Sequence, residues 1–199
     1  MSVEIEAVKR LKDLTGVGLT DAKKALEESN GDFDKALEAM RKKGLTKAEK
    51  RGEREAREGI IGTYNHDNRI GVLVEVNCET DFVARNEMFQ SLVKDISMHI
   101  AAMDPLYLSQ ETIPESEKKR VLQEFTDSAK AQDSKKSDEI INKMIEGQIK
   151  KYFSEKCLLD QAFVKNPDQS VADLIKEHAA RLGENIVVRR FHRIALGEK

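Results

Sequence analysis

The sequence predicts an α+β protein that begins with a small all-helical domain. Three observations predict it. Apolar residues recur at helical spacing through the first 44 positions. A strict two-residue alternation follows, placing Ile70, Val72, Val74 and Val76 on one face of a strand. Helical spacing then returns at Phe89, Leu92, Val93, Ile96 and Ile100. Strands grouped together, with helices following them, suit an antiparallel sheet covered on one face.

Residues 1–44 read as three short helices. In the first, Ile5, Val8, Leu11 and Leu14 fall on one face. It ends at Thr15-Gly16-Val17-Gly18, where glycine permits a positive φ. Thr20 is placed to cap the second helix, with Asp21 at its positive end. That helix turns Ala22, Ala25 and Leu26 inward, and Asn30-Gly31 stops it. Asp32 caps the third, with Phe33, Ala36, Leu37 and Met40 inward.

Composition changes between 41 and 57, where eight Lys or Arg and three Glu leave Leu45 as the one large apolar residue. A charged linker helix over 45–57, supported by Glu53 with Arg57 at i,i+4, is the simpler reading. The same segment could bind RNA, although it lacks the interleaved aromatics of a stacking platform.

A larger domain spans 58–199. It opens with a hairpin, strands over 59–65 and 69–77 around the turn His66-Asp67-Asn68. A long helix starts near Asn86 and closes at Asp104-Pro105. A very polar helix over 115–130, with a narrow stripe of Val121, Leu122 and Phe125, and a second over 138–154, carrying Ile140, Ile141, Met144, Ile145 and Ile149, are joined by the polar Gln132-Asp133-Ser134-Lys135 and predict an antiparallel helical hairpin within 115–154. Ser170 with Asp173 predicts a capped helix that runs to Leu182 and stops at Gly183. A last strand over 184–195 completes a three-stranded antiparallel sheet.

Composition narrows the function classes. At 39% apolar and 35% charged, the chain has no run near the ~18 apolar residues of a membrane span. Met1-Ser2-Val3-Glu4-Ile5-Glu6 is acidic, unlike a signal peptide. Two cysteines, Cys78 and Cys157, make no disulfide framework, so a reducing cytoplasm is expected. A net charge of −2 argues against binding nucleic acid through overall charge. No enzyme site, metal cluster or cofactor motif emerges. Thr15-Gly16-Val17-Gly18 follows a helix and lacks the Gly-Lys-Ser/Thr of a phosphate loop. His99, His178 and His192 read as surface or satisfied histidines, while His66, at a loop tip, is the strongest contact candidate. Arg189, Arg190 and Arg193 alternate across a strand and form no single basic stripe.

Thr80-Asp81-Phe82-Val83 stands at the strand-to-helix corner, and two readings of it are equal on spacing alone. Asp81 could cap the next helix while Phe82 folds back as a hydrophobic staple. Alternatively, the corner aims Phe82 outward as an anchor for a partner.

The flanks add to this. Thr15-Gly16-Val17-Gly18-Leu19-Thr20-Asp21-Ala22-Lys23-Lys24-Ala25-Leu26, then Asn30-Gly31-Asp32 and Arg41-Lys42-Lys43-Gly44, resemble the N-terminal signature of the bacterial elongation factor Ts family. Glu75-Val76-Asn77-Cys78-Glu79-Thr80-Asp81-Phe82-Val83-Ala84-Arg85-Asn86 resembles its second signature, and Gly183-Glu184-Asn185-Ile186 extends the likeness toward the end of the chain. The resemblance implies a cytoplasmic guanine-nucleotide exchange factor, not an enzyme, that binds elongation factor Tu in its GDP-bound and nucleotide-free forms. It implies no cofactor, no membrane and no direct nucleic-acid contact. The first three helices are similar to a ubiquitin-associated domain, and the family docks them on the GTPase domain. The resemblance places Lys12, Val17, Gly18, Leu19 and Lys23 in that contact. It likewise places Thr80, Asp81, Phe82 and Val83 where the family displaces the partner's Mg2+ site, with the Phe entering an apolar crevice. His66 matches a turn histidine that contacts the partner in longer members. Leu19-Thr20 stands where some relatives have two methionines. Longer members also duplicate the core lobe; this chain resembles the short form, in which a homodimer would stand in for the duplication.

Overall fold

The computed structural model describes residues 4–15, 17–132 and 138–198. Gly16 of the first expected turn and the 133–135 part of the expected hairpin connection lie outside them. The chain divides into two compact units. One comprises residues up to 98 together with 172 onward, and the other comprises 99–171.

The first unit begins with α1 (Ile5–Thr15), α2 (Leu19–Glu28) and α3 (Phe33–Arg51). Val8, Leu11, Ala22, Ala25, Leu26, Ala36 and Met40 form their core, with Val17, Phe33 and Leu37 packed against it. The stripe on α1 differs from expectation. Val8, Leu11 and Thr15 are buried, whereas Ile5 and Leu14 are exposed. Thr15 fits because its hydroxyl donates to the Leu11 carbonyl at 2.6 Å, so no polar atom is stranded. Gly18, rather than Thr20, occupies the cap position of α2. Asn30 and Gly31 both take positive φ after α2, and Asp32 caps α3 by accepting from the Lys35 amide at 3.1 Å. α3 runs on to Arg51 instead of stopping near Gly44. Beyond it, Arg57 pairs with Glu55 rather than Glu53, because 53–57 are no longer helical.

The same unit holds an antiparallel sheet in the order β1 (Glu58–His66), β2 (Ile70–Cys78), β5 (Val187–Ala195). Asp67 and Asn68 both adopt positive φ and the Arg69 amide returns to the His66 carbonyl at 2.9 Å, so Asn and Asp stand where a type I′ turn needs them. Val72, Val74 and Val76 are buried, as the alternation requires. They share the inner face with Gly62, where a Cβ would lie 2.4 Å from Val93 of α5 (Glu87–Met103). Gly59 is also obligatory. Its φ is +145°, and a Cβ there would meet the Val76 carbonyl oxygen at 2.1 Å. The other face is solvated and carries Ile61, Leu73, Glu75, Arg190, His192 and Ile194. α8 (Val171–Leu182) ends at Gly183, with φ +78°.

The second unit contains α6 (Glu115–Gln132) and α7 (Asp138–Lys156). Ile113, Val121, Phe153 and Cys157 form its core, flanked by Tyr107, Phe125, Ile149 and Tyr152. Phe125 of α6 meets Tyr152 of α7 edge to face. A small hairpin, β3 (Ala162–Phe163) with β4 (Asn166–Ser170), was not expected from the sequence. Its second strand carries Pro167 and no apolar alternation. Among the described residues, no helix is long and apolar enough to cross a membrane.

His99 ties this unit together. It is fully buried. The Val164 amide donates to Nδ1 at 3.2 Å, so Nε2 holds the proton and donates to Gln161 Oε1 at 2.9 Å. The Gln161 amide donates in turn to the carbonyls of Glu155 and Met103. Burial holds the His99 pKa below its ordinary value near 6.5, with the Gln161 bond opposing in part. A second proton would set two donors face to face at Nδ1. The unfolded chain therefore binds the proton more readily, and stability rises with pH. The contribution is complete above about pH 6.5 and is lost as pH falls below it. The urea midpoint should drop between pH 7.5 and 5.5, and His99→Gln should flatten that slope. An equal slope in the variant would assign the effect to other groups.

Candidate functional site

β2 ends at Cys78, and the chain must then leave the sheet without stranding its backbone donors. Glu184 meets that need. Its Oε2 accepts from the Glu79 amide at 3.0 Å and the Thr80 amide at 3.1 Å, and its Oε1 accepts from the Thr80 hydroxyl at 2.6 Å. The exchange is mutual, since the Asn185 amide donates to Glu79 Oε1 at 2.6 Å. Asn185 Nδ2 donates to the carbonyls of Gly52, at 3.2 Å, and Arg54, at 2.7 Å. Arg54 also pairs with Glu79 at 3.5 Å. β5 therefore begins at Val187, three residues later than expected, because Glu184 and Asn185 are engaged at the corner.

From this corner springs a single helical turn, α4 (Asp81–Ala84). Thr80, not Asp81, is its cap, the hydroxyl accepting from the Val83 amide at 3.4 Å. Asp81 pairs with Arg85 at 3.0 Å. Ala84 is buried and Val83 half-buried. Phe82 is 82% exposed, so it is not a staple folded into the core. Asn86 then caps α5, accepting from the Met88 amide at 2.8 Å.

The other candidates lie elsewhere on the first unit. Val17 packs on the N-terminal helical core, Gly18 opens α2, and Leu19 beside it is 53% exposed. Lys12 and Lys23 are exposed and pair with Asp13 and Glu27. Ile5 and Leu14 add exposed apolar surface to these helices that the helical spacing had assigned to the core. His66 stacks on Tyr64 at the hairpin tip, where the two side chains hydrogen-bond at 3.3 Å. Eight steps of strand separate it from the Cys78 end, roughly 27 Å. His66 and Phe82 therefore stand at opposite ends of the sheet and form no common pocket.

The cysteines are poor nucleophiles. Burial, aided by the Glu184 charge, pushes the Cys78 thiol up to about 11, and its Sγ donates to the Thr80 carbonyl at 3.2 Å. Burial likewise pushes Cys157 up to about 11, with Asp160 and Glu111 adding to it. Among the described residues, no group of three His, Cys, Asp or Glu converges as a metal site would. Of the C-terminal arginines, Arg190 pairs with Glu75 at 2.8 Å, Arg193 with Glu198 at 2.7 Å, and Arg189 donates to the Ala56 carbonyl.

The model of the family described as Elongation factor TS matches residues 9–198. The chain belongs to the elongation factor Ts family. Similar curated proteins agree. Elongation factor Ts of Thermodesulfovibrio yellowstonii is 48% identical over 199 residues, covering all of this chain and 98% of that protein. Those of Geotalea daltonii and Geobacter sulfurreducens are each 50% identical, again over the whole chain and 91% of each relative. Membership in the elongation factor Ts family places the chain among the translation elongation factors of protein biosynthesis.

Sequence reasoning about this elongation factor Ts chain missed Glu184 and Asn185 as parts of the corner. They are about 105 residues from Glu79 and Thr80, and no spacing rule connects them. The Gly183-Glu184-Asn185-Ile186 motif marked them without assigning a role. Two substitutions separate surface from scaffold. Phe82→Ala should leave stability within about 0.5 kcal/mol, because its ring touches solvent. Asn185→Ala should cost about 1–2 kcal/mol, because two carbonyls lose their donor. Urea denaturation measures both, and a large loss in Phe82→Ala would mean that the ring packs on its own protein.

Proposed function

We propose that this chain is a guanine-nucleotide exchange factor for elongation factor Tu. In this reading it promotes GDP release during translation elongation by disturbing the partner's Mg2+ and nucleotide site. The observation that carries the proposal is Phe82, an exposed aromatic ring on a corner clamped from behind. Family membership supplies the partner. Phe82 inserts into an apolar crevice of the GTPase, and Thr80, Asp81 and Val83 border the displaced Mg2+ site. The factor acts in the cytoplasm and supplies no base, metal or cofactor of its own.

The thermodynamics require a second contact. Moving the partner from almost full to almost no nucleotide retention takes roughly 5.5 kcal/mol of differential affinity. One buried Phe contributes about 1.5–3 kcal/mol. The N-terminal helices make up the difference by docking through Lys12, Val17, Gly18, Leu19 and Lys23. The exposed Leu19 supports this, as do the exposed Ile5 and Leu14 of α1. His66, remote from Phe82, is a separate and minor contact.

A homodimer through the solvated sheet face accompanies this reading. Ile61, Leu73 and Ile194 are exposed there at 58%, 51% and 74%. Glu75 and Arg190 lie among them, so a two-fold-related copy meets opposite charges. In sedimentation, Ile61→Asp with Ile194→Asp should shift a dimer to monomer; a native chain that is already monomeric would remove this part of the proposal.

Stopped-flow GDP release tests the main reading. Catalytic amounts of this protein should accelerate release from elongation factor Tu, and GDP should compete with the complex. Phe82→Ala should lower the acceleration roughly ten- to hundredfold, the range set by one buried ring. A complex indifferent to GDP would overturn exchange, and near-normal release by the variant would remove Phe82 from the mechanism.

A further inference from the structure

We infer that Glu184 is a positioning residue for Phe82, holding α4 in the one orientation that presents the ring; this rests on the exchange reading above. A four-residue helix cannot stand alone, since nucleating a turn fixes several residues for a single hydrogen bond. Its direction must come from its attachment. Thr80 supplies the attachment with a single hydroxyl that is used twice. The hydroxyl hydrogen goes to Glu184 Oε1 at 2.6 Å, and a lone pair accepts from the Val83 amide at 3.4 Å. With the hydrogen committed to Glu184, the lone pair is aimed at the first turn of α4. The other carboxylate oxygen takes the amides of Glu79 and Thr80, fixing the peptide planes immediately before the turn. Three donors on one carboxylate leave the corner no freedom to rotate.

That freedom would matter, because an exposed aromatic ring gains by folding back onto its own protein. Without Glu184, α4 can swing, and Phe82 is no longer held in the outward orientation a partner would meet. Glu184 never touches the partner in this account. It acts through Thr80 and the Glu79 backbone, and Asn185 holds Glu79 from the other side while bonding to the segment that follows α3.

A double-mutant cycle on GDP release tests it, using the full chain with elongation factor Tu. Glu184→Ala should slow release roughly tenfold or more, the scale expected when a contact group is misplaced by about 1 Å. Glu184→Gln should stay within about threefold, because its amide oxygen can take both backbone N–H groups while its NH2 donates to Thr80. Combined with Phe82→Ala, Glu184→Ala should add almost nothing, since its effect runs through that ring. Thermal melting of each variant runs in parallel. Fully additive losses would make Glu184 a general stabiliser and overturn the inference. Normal release by Glu184→Ala beside slow release by Phe82→Ala would overturn it while leaving the exchange reading intact. Normal release by Phe82→Ala would overturn both. Should Glu184→Ala fail to fold, Glu184→Asp keeps the charge but is one methylene too short to hold all three bonds, and it is expected to slow release in the same way, again only while Phe82 is present.

Discussion

The Glu184 carboxylate accepts three hydrogen bonds where β2 gives out, and much of the first unit is organised around that point. The last β2–β5 pair is Asn77 with Val187. Beyond it the ladder ends, but the two chains do not part. Glu79 and the Glu184-Asn185 pair continue the exchange through side chains. The carboxylates do the work that strand backbone would have done, and charge-assisted bonds are the stronger kind. The substitution frees the backbone of 79–80 to turn, and α4 follows at once. A plain continuation of the strands would have satisfied the same donors but left no corner and no projecting ring.

A projecting aromatic ring is useful to an exchange factor only if binding it differs between the two states of the partner. Tight contact that is equal in both states shifts nothing. The exchange reading therefore divides the labour. On the proposed exchange function, the N-terminal helices would supply affinity, while Phe82 with Asp81 would supply the part that GDP opposes. Linkage then makes the opposition mutual, since whatever Phe82 does to GDP affinity, GDP does to the affinity for this chain. Asp81 has one carboxylate oxygen paired to Arg85, so a cation that meets this carboxylate competes with that arginine.

Regular periodicity was legible in the sequence where burial is one-sided. β2 was read correctly because its inner face lies against α5, and a one-residue slip would have exposed Val72, Val74 and Val76. The Asp32 cap, the Asn30-Gly31 stop and the positive-φ hairpin turn were legible because each depends on a few adjacent residues. The ends of α1 were not. Ile5 and Leu14 continue the helical spacing of Val8 and Leu11, and periodicity cannot tell a core stripe from an apolar rim. The reach of α3 to Arg51 was hidden by composition, since charged residues are good helix formers whose pattern marks no boundary. The β3–β4 pair, polar and proline-bearing, gives no period at all. At the corner, four residues stood out at once. The reason they stand out in space lies at Glu184 and Asn185, and contacts of that sequence separation leave no local trace.

Asn185 also answers a question raised by dividing the contact in two. Two separate surfaces on one protein reinforce each other only when their spacing matches the partner, because a floppy connection dilutes the second contact and a wrong one abolishes it. Asn185 lies immediately after Glu184 and bonds to the carbonyls of Gly52 and Arg54, directly after the helix that completes the N-terminal trio. Arg54 closes the circuit by pairing with Glu79, the residue before Thr80. The segment after α3 is thus bonded to the same few residues that aim Phe82. A charged stretch that composition alone would pass for a loose linker is pinned at its far end to the corner. With that pin in place, the N-terminal surface and the ring can be offered to a partner at a set distance, as the division of affinity between them requires.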